Sequence, residues 1–123
     1  MTVSELKYLI AVNELSKNGA GARLTAIAAK LNVSKVSVYK AVERMELIGY
    51  LIHNGKKICV TDTGRGLLNE YMLVIGFISS HLEYHCGTPK ELAYNDALGA
   101  ACAFSDISRK NVTEFIKAGK KDR

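Results

Sequence analysis

The chain has 123 residues, of which 48% are apolar and 24% are charged, and it contains one proline. This composition predicts a globular protein with a hydrophobic core and excludes long disordered linkers. The 17 lysines and arginines outnumber the 12 acidic residues, which gives a formal net charge of +5. Residues 1–66 carry ten of these cations against five acidic residues, whereas residues 67–123 carry seven of each. A positive charge confined to one half of the chain predicts a surface there that faces phosphate.

Cysteine content and hydropathy bear on the compartment. Three cysteines occur without an N-terminal apolar signal segment, which predicts free thiols in a reducing environment. The longest apolar run, residues 72–78, is too short to span a bilayer. We therefore expect a cytoplasmic protein that has no membrane among its partners.

Two helices are predicted before residue 33. The first can be capped by Thr2 or Ser4, has apolar residues at helical spacing, and is ended by residues 18–21. Thr25 is placed to cap the second helix, and Asn32 is placed to close it. A tight turn then leads to a further helix, so the order predicts a helix-turn-helix.

The third helix is predicted to run from Ser34, which can cap it, to Gly49. Val38, Val42 and Met45 form its buried stripe. The residues that we predict to contact DNA lie on the opposite face and its flanks: Ser34, Lys35, Val36, Ser37, Tyr39, Lys40 and Arg44. Small hydroxyls and long cations suit the major groove, because they reach base edges and phosphate. An isolated helix face of this kind more often only meets water, but the turn before it and the hairpin after it favour DNA binding.

A β-hairpin is predicted directly after the third helix. Two β-prone runs, residues 50–53 and 58–60, flank Asn54-Gly55, which is a dipeptide typical of hairpin turns. Lys56 and Lys57 then lie at the tip, where we expect them to contact backbone phosphate without reading bases. Protection of an edge strand is a second and compatible role for both lysines.

A long helix is predicted from Thr61 to about His85. Its apolar positions cover more than one face, which a surface helix does not need. Either the helix is central to a larger core or it packs against a second copy of itself, and in so small a chain we favour a two-fold dimer. The predicted dimer interface consists of Leu67, Tyr71, Val74, Ile75, Ile78 and Leu82.

Two more helices complete the predicted architecture. Residues 86–89 break the chain, a helix follows to about Phe104, and Ser105 caps the last helix. We predict a winged helix-turn-helix domain over residues 1–64, a helical dimerisation domain over 65–117, and a flexible tail over 118–123. The predicted fold class is mostly α with a small β-wing.

Three phrases of the sequence resemble one family: LTAIAAKLNVSKVSVYKAVERMELIGYL, then VTDTGRGLL, then TPKELAYNDALGAACAFSD. Together they resemble the iron- and manganese-dependent repressors related to the diphtheria toxin repressor, over nearly the whole chain. The winged helix alone is shared by many regulators, so the third phrase is the specific one. The resemblance implies a homodimeric DNA-binding repressor, with Ser34, Val36, Ser37 and Lys40 in or near the groove.

The chain departs from this family at the positions that hold its co-repressor metal. By the resemblance, the metal-binding positions read Lys7, about Ile75, Leu98, Ala101 and Cys102. Aliphatic side chains carry no donor atom and a lysine repels a cation, so only the cysteine could ligate a metal. We therefore predict that the family's metal site is missing and that the chain uses no cofactor.

A different metal site is an open alternative. His81 and His85 are four residues apart on one helix face, Cys86 follows directly, and Cys102 lies on the next helix. Imidazoles and thiolates suit zinc and other soft-ligand metals. The competing interpretation is a pair of partly exposed histidines beside a helix end and two buried thiols that bind no metal. We favour it and therefore expect no metal among the partners.

The predicted function is a sequence-specific double-stranded DNA-binding transcription regulator, acting as a homodimeric repressor. A dimeric adaptor or antagonist, built on a winged helix and without DNA regulation of its own, is the alternative. An enzyme has little support, because no paired carboxylates, phosphate-cradling glycine loop or activated nucleophile can be placed in the sequence.

Overall fold

The computed structural model describes residues 1–16 and 19–121, and it divides into two compact units, Met1–Leu68 and Asn69–Arg123. The elements in chain order are α1 (Val3–Leu15), β1 (Ala22–Arg23), α2 (Leu24–Leu31), α3 (Lys35–Ile48), β2 (Leu51–Asn54), β3 (Lys57–Val60), α4 (Asp62–Tyr84), α5 (Lys90–Ala103) and α6 (Asp106–Lys121). This is the predicted fold class. The predicted helix end at Asn18 and the last two tail positions lie outside the described residues.

Local hydrogen bonds explain where α1 begins, and they correct the start of α2. The Thr2 side chain accepts from the Glu5 backbone N–H, and the Glu5 carboxylate accepts from that of Thr2, which makes a capping box. The bond from the Thr2 backbone lowers the pKa of Glu5. The prediction that Thr25 caps α2 is wrong: the helix already begins at Leu24, and its N-cap Arg23 makes no side-chain cap.

The sheet has three strands in the order β1-β3-β2, so the wing carries one strand that the sequence did not reveal. β1 pairs antiparallel with β3, Ala22 opposite Ile58. Gly21 precedes it with φ +87°, and a Cβ there would lie 2.9 Å from Cys59 Sγ. A glycine that allows such close approach of two backbones is the sequence signal for this strand.

The core of the first unit is continuous from α1 to the wing. The largest side chains in it are almost fully covered: Leu6, Leu9, Val12, Ile27, Val38, Val42, Met45, Leu51 and Ile58. The predicted stripe on α3 is therefore confirmed. Burying one such side chain contributes about 1.5–3 kcal/mol to the free energy of folding. The core therefore stabilises the position of α3 more than any single helix cap does.

The end of α3, the wing and the start of α4 meet at Thr61. Its hydroxyl donates to the Gly49 carbonyl at 2.6 Å and accepts the Gly64 backbone N–H at 3.0 Å, while its own N–H donates to the Tyr50 carbonyl at 3.1 Å. A Cβ at Gly64 would overlap the Tyr50 carbonyl oxygen. The phrase Val60-Thr61-Asp62-Thr63-Gly64 thus combines a helix cap with the close approach that brings α4 against the wing.

The second unit contains most of α4 together with α5 and α6. Tyr71, Val74 and Ile75 are buried on α4, and four residues of α5 are buried as well: Ala93, Ala97, Leu98 and Ala101. Small alanines let helices approach closely, so a short segment can still exclude water. No helix in the described ranges is long and apolar enough to cross a membrane.

Arg109 on α6 is almost fully buried in the second unit and makes the polar contacts that join α6 to α4. Its guanidinium donates to Glu70 at 3.2 Å, to Asp106 at 2.9 Å and to the Tyr71 hydroxyl at 3.3 Å, and it lies 4.9 Å from the centre of the Tyr71 ring. Burial raises the pKa of Tyr71, and the hydrogen bond from Arg109 lowers that of Asp106. A buried arginine needs this degree of pairing.

Replacing Gly64 with alanine should lower the free energy of unfolding by about 2 kcal/mol, because the new methyl group must displace the Tyr50 carbonyl. The matched control is Gly66→Ala, two positions further along the same helix, where nothing lies within 4 Å. There the substitution should raise stability by about 0.5–1 kcal/mol. Urea denaturation of both variants measures the difference; equal effects would contradict the close packing at Gly64.

Candidate nucleic-acid interface

The helix-turn-helix is formed by α2, a short turn and α3. Asn32 ends α2 in the left-handed conformation, with φ 54° and ψ 49°, as its predicted role required. Ser34 then caps α3: its side-chain oxygen accepts from the Ser37 backbone N–H at 3.1 Å and donates to the Ser37 hydroxyl at 2.9 Å. Both hydroxyls are therefore held at the first turn of α3, on an exposed surface.

The outward face of α3 carries every residue of that helix predicted to contact DNA. The side chains of Lys35, Lys40 and Arg44 are exposed, and Val36 and Tyr39 are 62% and 57% exposed. Apolar and aromatic side chains this exposed are not part of the core, and they suit contact with a thymine methyl or a sugar. The structure brings these residues together on one side of one helix.

The wing hairpin is tighter than predicted. Asn54 pairs with Lys57 across the strands, so the loop is only Gly55-Lys56, with Gly55 at φ 66°. Glycine at the first of two central positions is typical of a type II′ hairpin turn. The prediction that Lys57 lies at the tip is wrong: it is the first residue of β3, half-buried, and it also pairs with Arg23 of β1. Lys56 alone is the exposed tip cation.

A polar contact fixes the wing against α3. Glu46 Oε1 lies 2.6 Å from His53 Nδ1, and Glu46 Oε2 accepts the His53 backbone N–H at 3.4 Å. Because one residue is on α3 and the other on β2, the pair sets the angle between the helix and the hairpin. The sequence analysis missed this contact, since the two residues carry no recognisable spacing.

An exposed apolar cluster lies at the C-terminal end of α3 and the adjoining strand. Leu47 is 86% exposed, and Ile48 and Ile52 are each about half exposed. Scattered apolar residues are normal on a surface, but these three adjoin the wing in sequence. They were absent from the predicted interface.

The residues predicted to form a dimer interface differ in their environment. Tyr71, Val74 and Ile75 are covered within one chain, whereas the other three are only half-buried: Leu67, Ile78 and Leu82. Beside them α4 and α6 border an open apolar groove of about 620 Å³, lined by Met72, Leu73, Gly76, Phe77, Ser80, His81, Phe115, Ile116 and Gly119. The dimer interface stays a prediction.

The positions that the resemblance assigns to the co-repressor metal carry few donor atoms in this chain. Ile75, Leu98 and Ala101 are buried apolar side chains without donor atoms, and Lys7 is exposed. Cys102 is the one potential ligand of the five. Across residues 1–16 and 19–121, no three histidine, cysteine or acidic side chains come together as a metal-binding group.

The first unit is a winged-helix domain, in which a helix-turn-helix is followed by a small β-sheet. Residues 1–58 match the family model described as the iron dependent repressor, N-terminal DNA binding domain. This part of the chain is similar to the DNA-binding domain of that family, as the sequence resemblance predicted.

Solved structures of similar fold include three at 19–21% identity. A hypothetical protein from Sulfolobus solfataricus has 19% identity and a TM-score of 0.75, with 94% of this chain and 89% of that chain covered. IdeR from T. acidophilum has 19% identity and a TM-score of 0.67 over 92% of this chain and 53% of that chain. The manganese regulator SloR has 21% identity and a TM-score of 0.75, with 95% of this chain and 55% of that chain covered.

These likenesses concern the fold. The chain spans about half of the length of IdeR and SloR. No curated protein matches the sequence. At such identities a shared fold leaves the function to be argued from this chain's own residues.

Removing the Ser34 hydroxyl, which caps α3, should lower the free energy of unfolding more than removing the Thr25 hydroxyl, which the sequence predicted to cap α2. Ser34→Ala loses a bond to the Ser37 backbone and should lower the free energy of unfolding by about 1 kcal/mol. Thr25→Ala should change it by less than about 0.5 kcal/mol, because α2 has no side-chain cap. Denaturant titration compares the two variants, and a larger loss at Thr25 would overturn this assignment of the caps.

Proposed function

We propose that the chain is a sequence-specific transcription regulator that binds double-stranded DNA as a homodimer and represses transcription. The observation that carries the proposal is the outward face of α3, where the Ser34 and Ser37 hydroxyls stand beside exposed Lys40 and Arg44. A reading helix of this composition, followed by a cationic wing, has the chemistry that duplex DNA requires. The proposal assigns no catalytic activity to the chain.

The α3 face would supply sequence choice. Lysine and arginine donate to the guanine O6 and N7 acceptors, and a serine hydroxyl donates to or accepts from several base edges. Lys40 and Arg44 are four residues apart, so they project from neighbouring turns of one exposed helix face. Tyr39 offers an amphipathic ring beside them.

The wing would supply affinity without sequence choice. Lys56 occupies the two-residue loop at the tip and is exposed. A cation on a short, rigid hairpin can neutralise one phosphate and release one counterion. Lys57, half-buried in β3, would contribute through its charge at longer range.

Dimerisation would place two α3 helices on adjacent half-sites. The support within the chain is the apolar groove of the second unit, where Phe115 is 67% exposed and meets Phe77 edge-on, with 6.1 Å between the ring centroids. An exposed apolar surface of this kind promotes association. We propose that the groove extends the dimer interface predicted from Leu67, Ile78 and Leu82.

The regulator would act without the family's iron or manganese. Its support is chemical: the corresponding positions Ile75, Leu98 and Ala101 offer no lone pair to a cation. DNA affinity should therefore be the same with chelator and with added manganese.

Selection of genomic fragments by the full chain, followed by sequencing, tests the proposed function. The same palindromic sites should be enriched with chelator and with manganese. Enrichment only with manganese would contradict the proposed metal independence, and no enrichment in either arm would contradict DNA regulation by this chain.

Two lysines should separate sequence reading from phosphate binding. On an enriched site, Lys40→Ala should lower affinity through a lost base contact worth about 1–3 kcal/mol, with a smaller loss on random DNA. Lys56→Ala should weaken binding on all sequences and reduce the slope of log K against log salt by about one unit. Fluorescence anisotropy at several salt concentrations measures both effects.

Lys110→Ala is the control for these measurements, since Lys110 is an exposed cation of the second unit and lies outside the proposed interface. It should leave the affinity nearly unchanged. Equal losses on specific and random DNA for both Lys40→Ala and Lys56→Ala would overturn the division of roles.

A charge in the groove should break the dimer. Phe115→Glu places a carboxylate against Phe77 and should shift the protein towards monomer in sedimentation velocity. Ile107→Glu is the matched control, because it lies on the same helix, is 73% exposed, and does not line the groove. A dimer that survives Phe115→Glu and dissociates with Ile107→Glu would place the interface elsewhere.

A dimeric protein-binding adaptor is the second candidate, and the exposed cluster of Leu47, Ile48 and Ile52 is the observation that favours it. Such a cluster beside the wing could bind a protein partner. An adaptor has no need of phosphate affinity, so early elution from heparin at low salt would support it and late elution would support the DNA regulator.

A further inference from the structure

The two histidines at the end of α4 approach each other through their nitrogen edges. His81 Nδ1 and His85 Nδ1 are 3.1 Å apart, whereas the ring centroids are 4.8 Å apart. The rings are stacked and offset, with their Nδ1 atoms closer together than the ring centroids. Their planes differ by 23°, and the broad χ2 well of histidine lets both Nδ1 lone pairs turn towards one ion.

This separation fits two ligands of one metal ion. Imidazole nitrogens bind transition metals at about 2.0–2.1 Å, and a 3.1 Å separation then corresponds to an angle of about 95–100° at the metal. An ideal tetrahedral site would need the nitrogens about 3.3 Å apart at the same bond length. The observed spacing lies between this value and the roughly 2.9 Å of a right-angled site, so it fits square-planar, octahedral and tetrahedral ions.

The surroundings pre-organise the pair for this role. Phe77, one helical turn before His81, contacts its ring edge-on at a centroid distance of 4.7 Å, which restricts the orientation of that imidazole. Both histidines are exposed in the single chain, and His85 does not line the groove proposed for the dimer, so an ion can reach the pair from the His85 side. In neutral imidazole the proton can reside on Nε2, which leaves both Nδ1 atoms available as ligands.

We propose that His81 and His85 form a bidentate site for a divalent late transition-metal ion, Cu²⁺ or Ni²⁺. Imidazole suits both ions, both accept right-angled ligands, and Cu²⁺ stands highest in the general order of divalent affinities. The ion would take the place of the direct contact between the two Nδ1 atoms. Exposed Cys86, the next residue after His85, is the nearest candidate in sequence for a third ligand.

This site is distinct from the family's metal-binding positions, and it involves neither α5 nor the predicted DNA-binding residues. With two protein ligands it is open, in contrast to a closed structural site. It goes beyond the proposed function, and metal binding at the pair can be measured without DNA.

Calorimetric titration of the untagged full chain with Ni²⁺ should show one binding event. His81→Asn and His85→Asn should each weaken it by about tenfold or more, because each removes half of the chelate. His53→Asn is the matched control: the third histidine of the chain is occupied by Glu46 and should not affect Ni²⁺ binding. Cys86→Ser tests the thiol, with a smaller loss expected if it is a third ligand.

A spectroscopic measurement on the unmodified chain keeps the test independent of how the variants fold. Electron paramagnetic resonance of the Cu²⁺-loaded protein should show hyperfine coupling to two equivalent imidazole nitrogens. Coupling to a single nitrogen, or Ni²⁺ affinity unchanged in folded His81→Asn, would overturn the proposal. Equal losses in His53→Asn and His85→Asn would also overturn it, because they would show diffuse binding to any histidine.

Discussion

The hydrogen bonds of Thr61 are the constraint on which the winged-helix unit depends. One hydroxyl accepts the Gly64 N–H at the start of α4 and donates to the Gly49 carbonyl just beyond α3. The backbone N–H of Thr61 donates to the Tyr50 carbonyl, so the entry into the wing is held at the same point. Three elements that a flexible chain would present independently are therefore fixed by one residue. A reading helix and a phosphate-binding hairpin are useful together only when their spacing is constant.

The sequence predicted best what is determined within a few residues. The Thr2, Ser34 and Ser105 caps, the left-handed Asn32 and the stop at Gly49 all follow from backbone groups that a nearby side chain or glycine can satisfy. The family resemblance of the first 58 residues had the same origin, since cap, turn and hairpin signals occur there in a fixed order. Local chemistry also placed Lys40 and Arg44 on the exposed face of α3, opposite Val38 and Val42.

What the sequence did not reveal depends on partners far along the chain. β1 has two residues and exists because Ala22 meets Ile58, and this pairing fixes the chain just before Leu24, where α2 begins one residue ahead of the predicted cap. Arg109 reads as an ordinary surface cation until Glu70 and Tyr71 enclose it. The predicted dimer interface depends on distant partners in the same way. Helical spacing predicted that Tyr71, Val74 and Ile75 are buried, but spacing cannot distinguish burial within one chain from burial between two chains.

The proposed metal independence has a physical consequence for how such a regulator would be controlled. A co-repressor works by binding one conformation more tightly than another, and the energy for the shift comes from its ligands. Buried Leu98 and Ala101 supply hydrophobic burial in place of ligand bonds, and burial is present at all metal concentrations. The second unit would then keep one conformation whether or not metal is present. Control would have to act elsewhere, either on the amount of protein or at an exposed site such as the His81–His85 pair, whose ligands are still accessible to an ion.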